Sequence, residues 1–99
     1  MAKKIIWTQN ALQDRLSILD YWFEIIGNKK YSNYLDLCFR EAAEIISKYP
    51  QAGRYSQQAN CRFIVKENYL LFYSESENDI FMLAIFDGRR NPESIKITK

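Results

Sequence analysis

Arg54, Arg62, Lys66, Arg89 and Arg90 are the cations in and around the second half of this 99-residue chain that could do chemistry together. A guanidinium presents a planar fork of donors that matches a phosphate. Arg62 and Lys66 lie four apart in "CRFIVK", so on a strand they share one face while Phe63 and Val65 take the other. If Arg89 ends a neighbouring strand, Arg54, Arg62 and Arg89 could converge on one phosphate. They could equally be ordinary solvated charges, paired with Glu67, Asp79 or Glu93. Tyr55, Phe63, Tyr69 and Tyr73 lie among these cations and could stack on exposed bases. Aromatics at strand spacing more often belong to a core, which is the reading taken for Phe63 and Tyr73. Tyr55, in a polar segment, is the candidate for exposure.

Other chemistry is poorly supplied. The chain has no histidine, the usual base near neutral pH, so catalysis would fall to Lys, Arg, Tyr or a carboxylate. Asp20 and Glu24 are one turn apart on a helix, as expected of its wet face. Cys38 and Cys61 stand far apart without a CxxC pair, so they suggest neither a zinc site nor a disulfide, and both are expected to be reduced and at least partly buried. No metal or cofactor is expected.

These residues need elements to position them. "KKIIW" at 3–7 reads as a short strand, and Thr8 is a suitable N-cap. Leu12, Leu16, Leu19, Phe23 and Ile26 recur at steps of four and three, which predicts a helix with that row as its core face, stopped by Gly27-Asn28. Trp7, Trp22 and Phe23 are assigned to the core. Tyr31, Leu35, Cys38, Ala42, Ile45 and Tyr49 repeat the spacing in a second helix closed by Pro50. So short a connection implies an antiparallel helical hairpin. "QAGRYSQQAN" is polar and aperiodic and reads as a loop. "CRFIVK", "YLLFYSES" and "DIFMLAIFD" then read as antiparallel strands, with turns at Glu67-Asn68 and Glu77-Asn78, and "SIKIT" as one more, weaker strand. The plan is α+β: an N-terminal strand, an antiparallel helical hairpin, then three or four mostly antiparallel strands forming one sheet.

At 47% apolar and 15% aromatic content, residues 1–99 are expected to form a single domain with a real core. The formal charge is +2, from 14 basic and 12 acidic residues spread evenly, so any anion-binding surface must be assembled by folding. The apolar run near the start ends at Trp7, too short for a signal peptide or a membrane span. A cytoplasmic protein without membrane contact is expected.

In order along the chain, "IIWTQNALQDRLSILDYW", "YPQAGR", "CRFIVKENYLLFY" and "IFMLAIFDGRRNP" resemble the RelE/ParE superfamily of toxins from bacterial type II toxin–antitoxin, or plasmid stabilisation, modules. The resemblance implies a small toxin neutralised by a cognate antitoxin, with a toxin–antitoxin hetero-oligomer as the form such a pair can take. Two mechanisms follow from it. A RelE-like member would be an mRNA endonuclease without metal that works on the ribosome, activating a ribose 2′-hydroxyl against the adjacent phosphate. A ParE-like member would act on DNA gyrase. RelE-like toxins carry an arginine where this chain has Leu70, and a tyrosine past the arginine-bearing turn where it has Ser94, Ile95, Lys96 and Ile97. The ParE-like branch is therefore favoured, with gyrase rather than ribosome and mRNA as target. A member that has lost toxicity and only binds an antitoxin is a third reading. Arg89 is the best match to a phosphate-handling position of the superfamily. Arg54, Arg62 and Arg90 are the other target- or phosphate-binding candidates.

Overall fold

The computed structural model describes residues 2–89. Seven elements follow in order: β1 (Lys4–Trp7), α1 (Gln9–Ile26), α2 (Lys30–Lys48), β2 (Arg54–Ser56), β3 (Cys61–Lys66), β4 (Tyr69–Glu75) and β5 (Asp79–Asp87). The strands form one five-stranded sheet in the order β1-β5-β4-β3-β2. The α+β plan holds, with a helical hairpin over a mostly antiparallel sheet.

Local chemistry explains the junctions. The Thr8 Oγ1 accepts from Ala11 N at 3.2 Å and donates to Met82 O at 2.8 Å, so one side chain caps α1 and fastens it to β5. Gly27 ends α1 at φ 83°, a left-handed conformation that costs glycine nothing. Asn28 Oδ1 accepts from Lys30 N at 3.0 Å at the start of α2. Glu67 and Asn68 take φ 51° and 71° between β3 and β4, the two-residue hairpin turn whose twist suits antiparallel strands.

β1, whose direction the sequence left open, pairs parallel to β5, Lys4 opposite Asp79 through Trp7 opposite Met82. The long connection that a parallel pair requires runs through both helices and β2–β4. One strand expectation needs correction. The polar stretch after Pro50 is not loop throughout, since Arg54–Ser56 pairs with Cys61–Phe63 as a short edge strand. Three paired residues are too few to show a period in sequence. "SIKIT" lies outside the described residues.

The main core lies between the hairpin and one sheet face. Ala11, Leu35, Phe39, Ala42, Ala43 and Ile46 meet Tyr69, Leu71, Tyr73, Ile80, Met82 and Ile85, with Trp7 and Trp22 half-buried against them. Alternate strand residues put Cys61, Phe72 and Leu83 into a second apolar cluster with Phe63, Leu70, Phe81 and Phe86. Cys38 and Cys61 are both buried as thiols, not joined in a disulfide.

The helix faces differ from expectation. In α1 the inward positions are Ala11, Ile18, Leu19 and Trp22, whereas Leu12, Leu16, Phe23 and Ile26 are exposed. α1 is apolar around much of its circumference, so spacing alone could not say which row meets the sheet. In α2, Leu35, Cys38 and Ala42 are buried as expected, but Ile45 and Tyr49 are exposed and Phe39 and Ile46 take the inner positions.

Candidate target-binding surface

The candidate cations do not come together. Arg54 sits opposite Phe63, Phe63 opposite Phe72, and Phe72 opposite Ala84. Arg62 sits opposite Tyr73, and Tyr73 opposite Met82. Arg89 follows the end of β5. At ~3.3 Å per residue and ~4.8 Å per strand, it lies about 20 Å or more from both Arg54 and Arg62. Arg54 and Arg62 also face opposite sides of the sheet, because Arg62 alternates with Phe63. The sequence could not show this, since convergence depends on register and on β4 separating β3 from β5.

Arg62 has a structural role. Its Nη1 donates to Gly53 O at 2.7 Å and its Nη2 to Gln51 Oε1 at 2.8 Å. Beside it the buried Tyr73 hydroxyl donates to Pro50 O at 2.8 Å and accepts from Gly53 N at 2.9 Å. Together they tie the Pro50–Gly53 segment to the sheet. A side chain at Gly53 would place its Cβ 2.5 Å from that hydroxyl and 2.7 Å from Phe63 O, so the close approach depends on glycine. Burial pushes the Tyr73 phenol above its ordinary pKa, outweighing the lowering effect of its bond with Gly53 and of nearby Arg62.

Arg54 is exposed, and no carboxylate partners it among the described residues. Tyr55 is exposed as expected, its hydroxyl bonded to Asn60. Tyr73 is core, and Phe63 is half-buried in the second apolar cluster. Asp20 and Glu24 lie on the wet face of α1. Arg90 lies outside the described residues.

Arg89 lies at a more developed site. Its Nε and Nη2 each donate to Asp87, at 3.1 Å to Oδ1 and 3.1 Å to Oδ2, and its backbone N–H also reaches Oδ1 at 2.9 Å. Its partner is thus Asp87, not Glu67 or Asp79, and Glu93 lies outside the described residues. The side chain stays 62% exposed, so the fork is held in place while one side remains open. The hydrogen bonds to Asp87 raise the guanidinium pKa further, so its charge is constant in water.

Arg89 borders a cleft of about 380 Å³, lined also by Asp14, Ser17, Tyr21, Tyr69 and Asp87. Beyond the end of β1, the neighbouring side of β5 is met by the start of α1. Asn10 Nδ2 donates to Leu83 O at 3.0 Å, and Ile85 N donates to Asp14 Oδ2 at 3.0 Å. Burial raises the Asp14 carboxyl above the ordinary range, and the bond from Ile85 pulls it partly back. Tyr69 accepts from Trp22 Nε1 at 2.8 Å and packs edge-on against Phe39. Tyr34, on the same end of the sheet, donates to Glu67 at 2.9 Å, and that bond pushes its phenol up to about 12.

Asp14 and Tyr21 were not singled out from sequence. A signal was present: Ala11, Asp14 and Ile18 are spaced by three and four, so Asp14 belongs to the inward row once that row is identified. Leu70, where RelE-like toxins carry an arginine, sits opposite Val65 and Phe86 and packs in the second apolar cluster.

The family model described as the ParE toxin of the type II toxin–antitoxin system parDE matches residues 5–92. The chain therefore belongs to the ParE toxin family, the ParE-like branch of the RelE/ParE superfamily, as a type II toxin. A solved structure of the chromosomal ParDE toxin–antitoxin system from P. aeruginosa is similar at TM-score 0.76 and 20% identity, covering 87% of this chain and 96% of that one. At that identity the likeness speaks for the fold. No curated protein sequence matches the chain. Among the described residues, no helix is long and apolar enough to cross a membrane.

Proposed function

We propose that this ParE-family toxin acts on DNA gyrase through protein contact, with Arg89 as the central target-binding residue, and that a cognate antitoxin neutralises it in a hetero-oligomeric complex. The family match across residues 5–92 carries this reading. Two features support contact over catalysis. Leu70 packs among apolar side chains, and Arg62 is engaged by Gly53 and Gln51, so among the described residues no cluster of cations gathers around a scissile phosphate. Arg54 and Arg90 remain secondary contact candidates, and the protein is taken to act in the cytoplasm.

One observation favours the ribosome-dependent ribonuclease as a second reading. Asp14, Tyr69 and Arg89 line one cleft, and a carboxylate, a phenol and a guanidinium are the kinds of group that could serve as base, acid and anion clamp. The purified chain separates the two readings. Inhibition of gyrase supercoiling, with intact ribosome-bound message, is expected. Message cleavage that disappears in Arg89→Ala would overturn the gyrase reading. Induced expression without antitoxin should arrest growth, and normal growth with folded protein present would leave only a non-toxic antitoxin-binding module.

A further inference from the structure

Asp14 is a carboxylate without a cation. Its Oδ2 accepts from Ile85 N at 3.0 Å, and no lysine or arginine pairs with it among the described residues. It lines the cleft at the end of β5, where the guanidinium of Arg89 has its fork engaged by Asp87. Among the described residues, two carboxylates against one guanidinium leave this cleft one negative charge. A phosphate there would meet that charge and a fork already engaged. A cation would supply what Asp14 lacks, because a half-buried carboxylate is costly to keep ionised without one. Burial already holds that carboxyl above the ordinary range, as expected of a charge desolvated and not paired.

The chain shows elsewhere what such a set of groups accommodates. Arg15 lies with its Cζ 4.7 Å from the centre of the Trp7 ring and its Nη2 2.6 Å from Asp36 Oδ1. One guanidinium is thus held between an aromatic face and a carboxylate. Asp14, Ser17 and Tyr21 repeat these parts at steps of three and four along one side of α1, and all three line the cleft. Side chains on a helix lean toward its N-terminus, which directs the exposed Tyr21 ring back over Ser17 toward Asp14.

We propose that this cleft is a socket for an arginine side chain of the protein target, taken between the Asp14 carboxylate and the Tyr21 ring while Arg89 meets an acceptor of the same target on its open side. The socket deepens the gyrase reading and rests on it for the identity of the partner. It requires the target surface to present a base beside an acceptor. The cleft, about 380 Å³, has room for one side chain, and the Ser17 hydroxyl adds an acceptor for a further N–H of the fork. Arginine suits it better than lysine, because a planar guanidinium can stack on the ring and reach the carboxylate at once.

Binding of a blocked arginine, N-acetyl-arginine methylamide, to the purified full chain tests the socket by itself. Citrulline blocked in the same way is the neutral isostere, and inorganic phosphate is the anion. NMR signals report where each binds, with the Ile85 amide, the donor to Asp14, as the nearest probe. Blocked arginine should shift Ile85 and Tyr21 saturably at millimolar concentration, while phosphate leaves both in place. Citrulline should bind about tenfold more weakly or not at all, and Asp14→Asn should weaken arginine about tenfold or more. Tyr21→Ala, at an exposed position, should weaken it roughly two- to fivefold. Circular dichroism checks that both variants fold, and both should lose gyrase inhibition in the same order. Equal binding of citrulline, a phosphate shift at Ile85, or undiminished arginine binding by Asp14→Asn overturns the socket. A socket that binds arginine while both variants inhibit gyrase as the wild type does overturns its assignment to the target. A wild type without effect on gyrase overturns the gyrase reading and that source of the arginine, while the NMR titration still decides the socket.

Discussion

Removing the Tyr73 hydroxyl probes how the sheet is joined to the end of the hairpin. Tyr73 is only 1% exposed, and its oxygen serves both Pro50 O and Gly53 N. Tyr73→Phe keeps the ring and its packing but leaves a donor and an acceptor without that partner. One unsatisfied buried polar group costs about 1–3 kcal/mol. Water reaching the segment from its outer side would reduce that, so a total of about 2–3 kcal/mol is expected. For a domain of this size that lowers the melting temperature by roughly 10–20 °C. Urea denaturation at neutral pH, followed by circular dichroism, measures the loss directly. Arg62→Ala removes the donor to Gly53 O on the same segment, so the double variant should lose less than the two single losses combined. Above pH 10 the difference between wild type and Tyr73→Phe should narrow. The raised folded-state pKa of Tyr73 gives stability that is whole below its unfolded value near 10 and lost as pH rises through the folded one. A Tyr73→Phe loss under about 0.5 kcal/mol, or full additivity with Arg62→Ala, would refute the staple.

Asp14→Asn should leave the chain at least as stable as wild type at pH 7, because the amide oxygen can still accept from Ile85 without a desolvated charge. The Asp14 carboxyl is raised on folding, so its contribution is whole at acid pH and lost as pH climbs through the folded pKa. The variant's advantage should thus appear between acid and neutral pH, and thermal melts showing it less stable at pH 7 would contradict this. Thr8→Ala removes the α1 cap and the bond to Met82 O, for a loss of about 1–2 kcal/mol by denaturant unfolding; no measurable loss would detach the cap from stability. Arg89→Ala should unfold within about 0.5 kcal/mol of wild type, since an exposed ion pair contributes little, while gyrase inhibition falls. A large destabilisation would make Arg89 structural.

Much of the fold was legible locally. Thr8, Gly27 and Glu67-Asn68 act through their own backbone or a turn away, so the ends of α1 and the β3–β4 hairpin were readable from residue types. The apolar runs that became β3, β4 and β5 were equally plain, because half-buried strands require them. Edge strand β2 and the parallel pairing of β1 depend on neighbours distant in the chain, and no local pattern encodes them.

The site divides along the same line. Residue types alone gave Arg89 as one of several candidate cations and showed the shortage of general bases, and the family resemblance raised Arg89 above the rest. Tertiary structure decided that Arg62 is spent on Gly53 and Gln51, that Arg54 lies far from Arg89, and that Asp14 from α1 meets the side of β5. It also decided which row of α1 is buried. Periodicity reports how many apolar rows a helix carries, but only the packed sheet, with one face of limited width to cover, selects the row that turns inward and leaves the other to solvent.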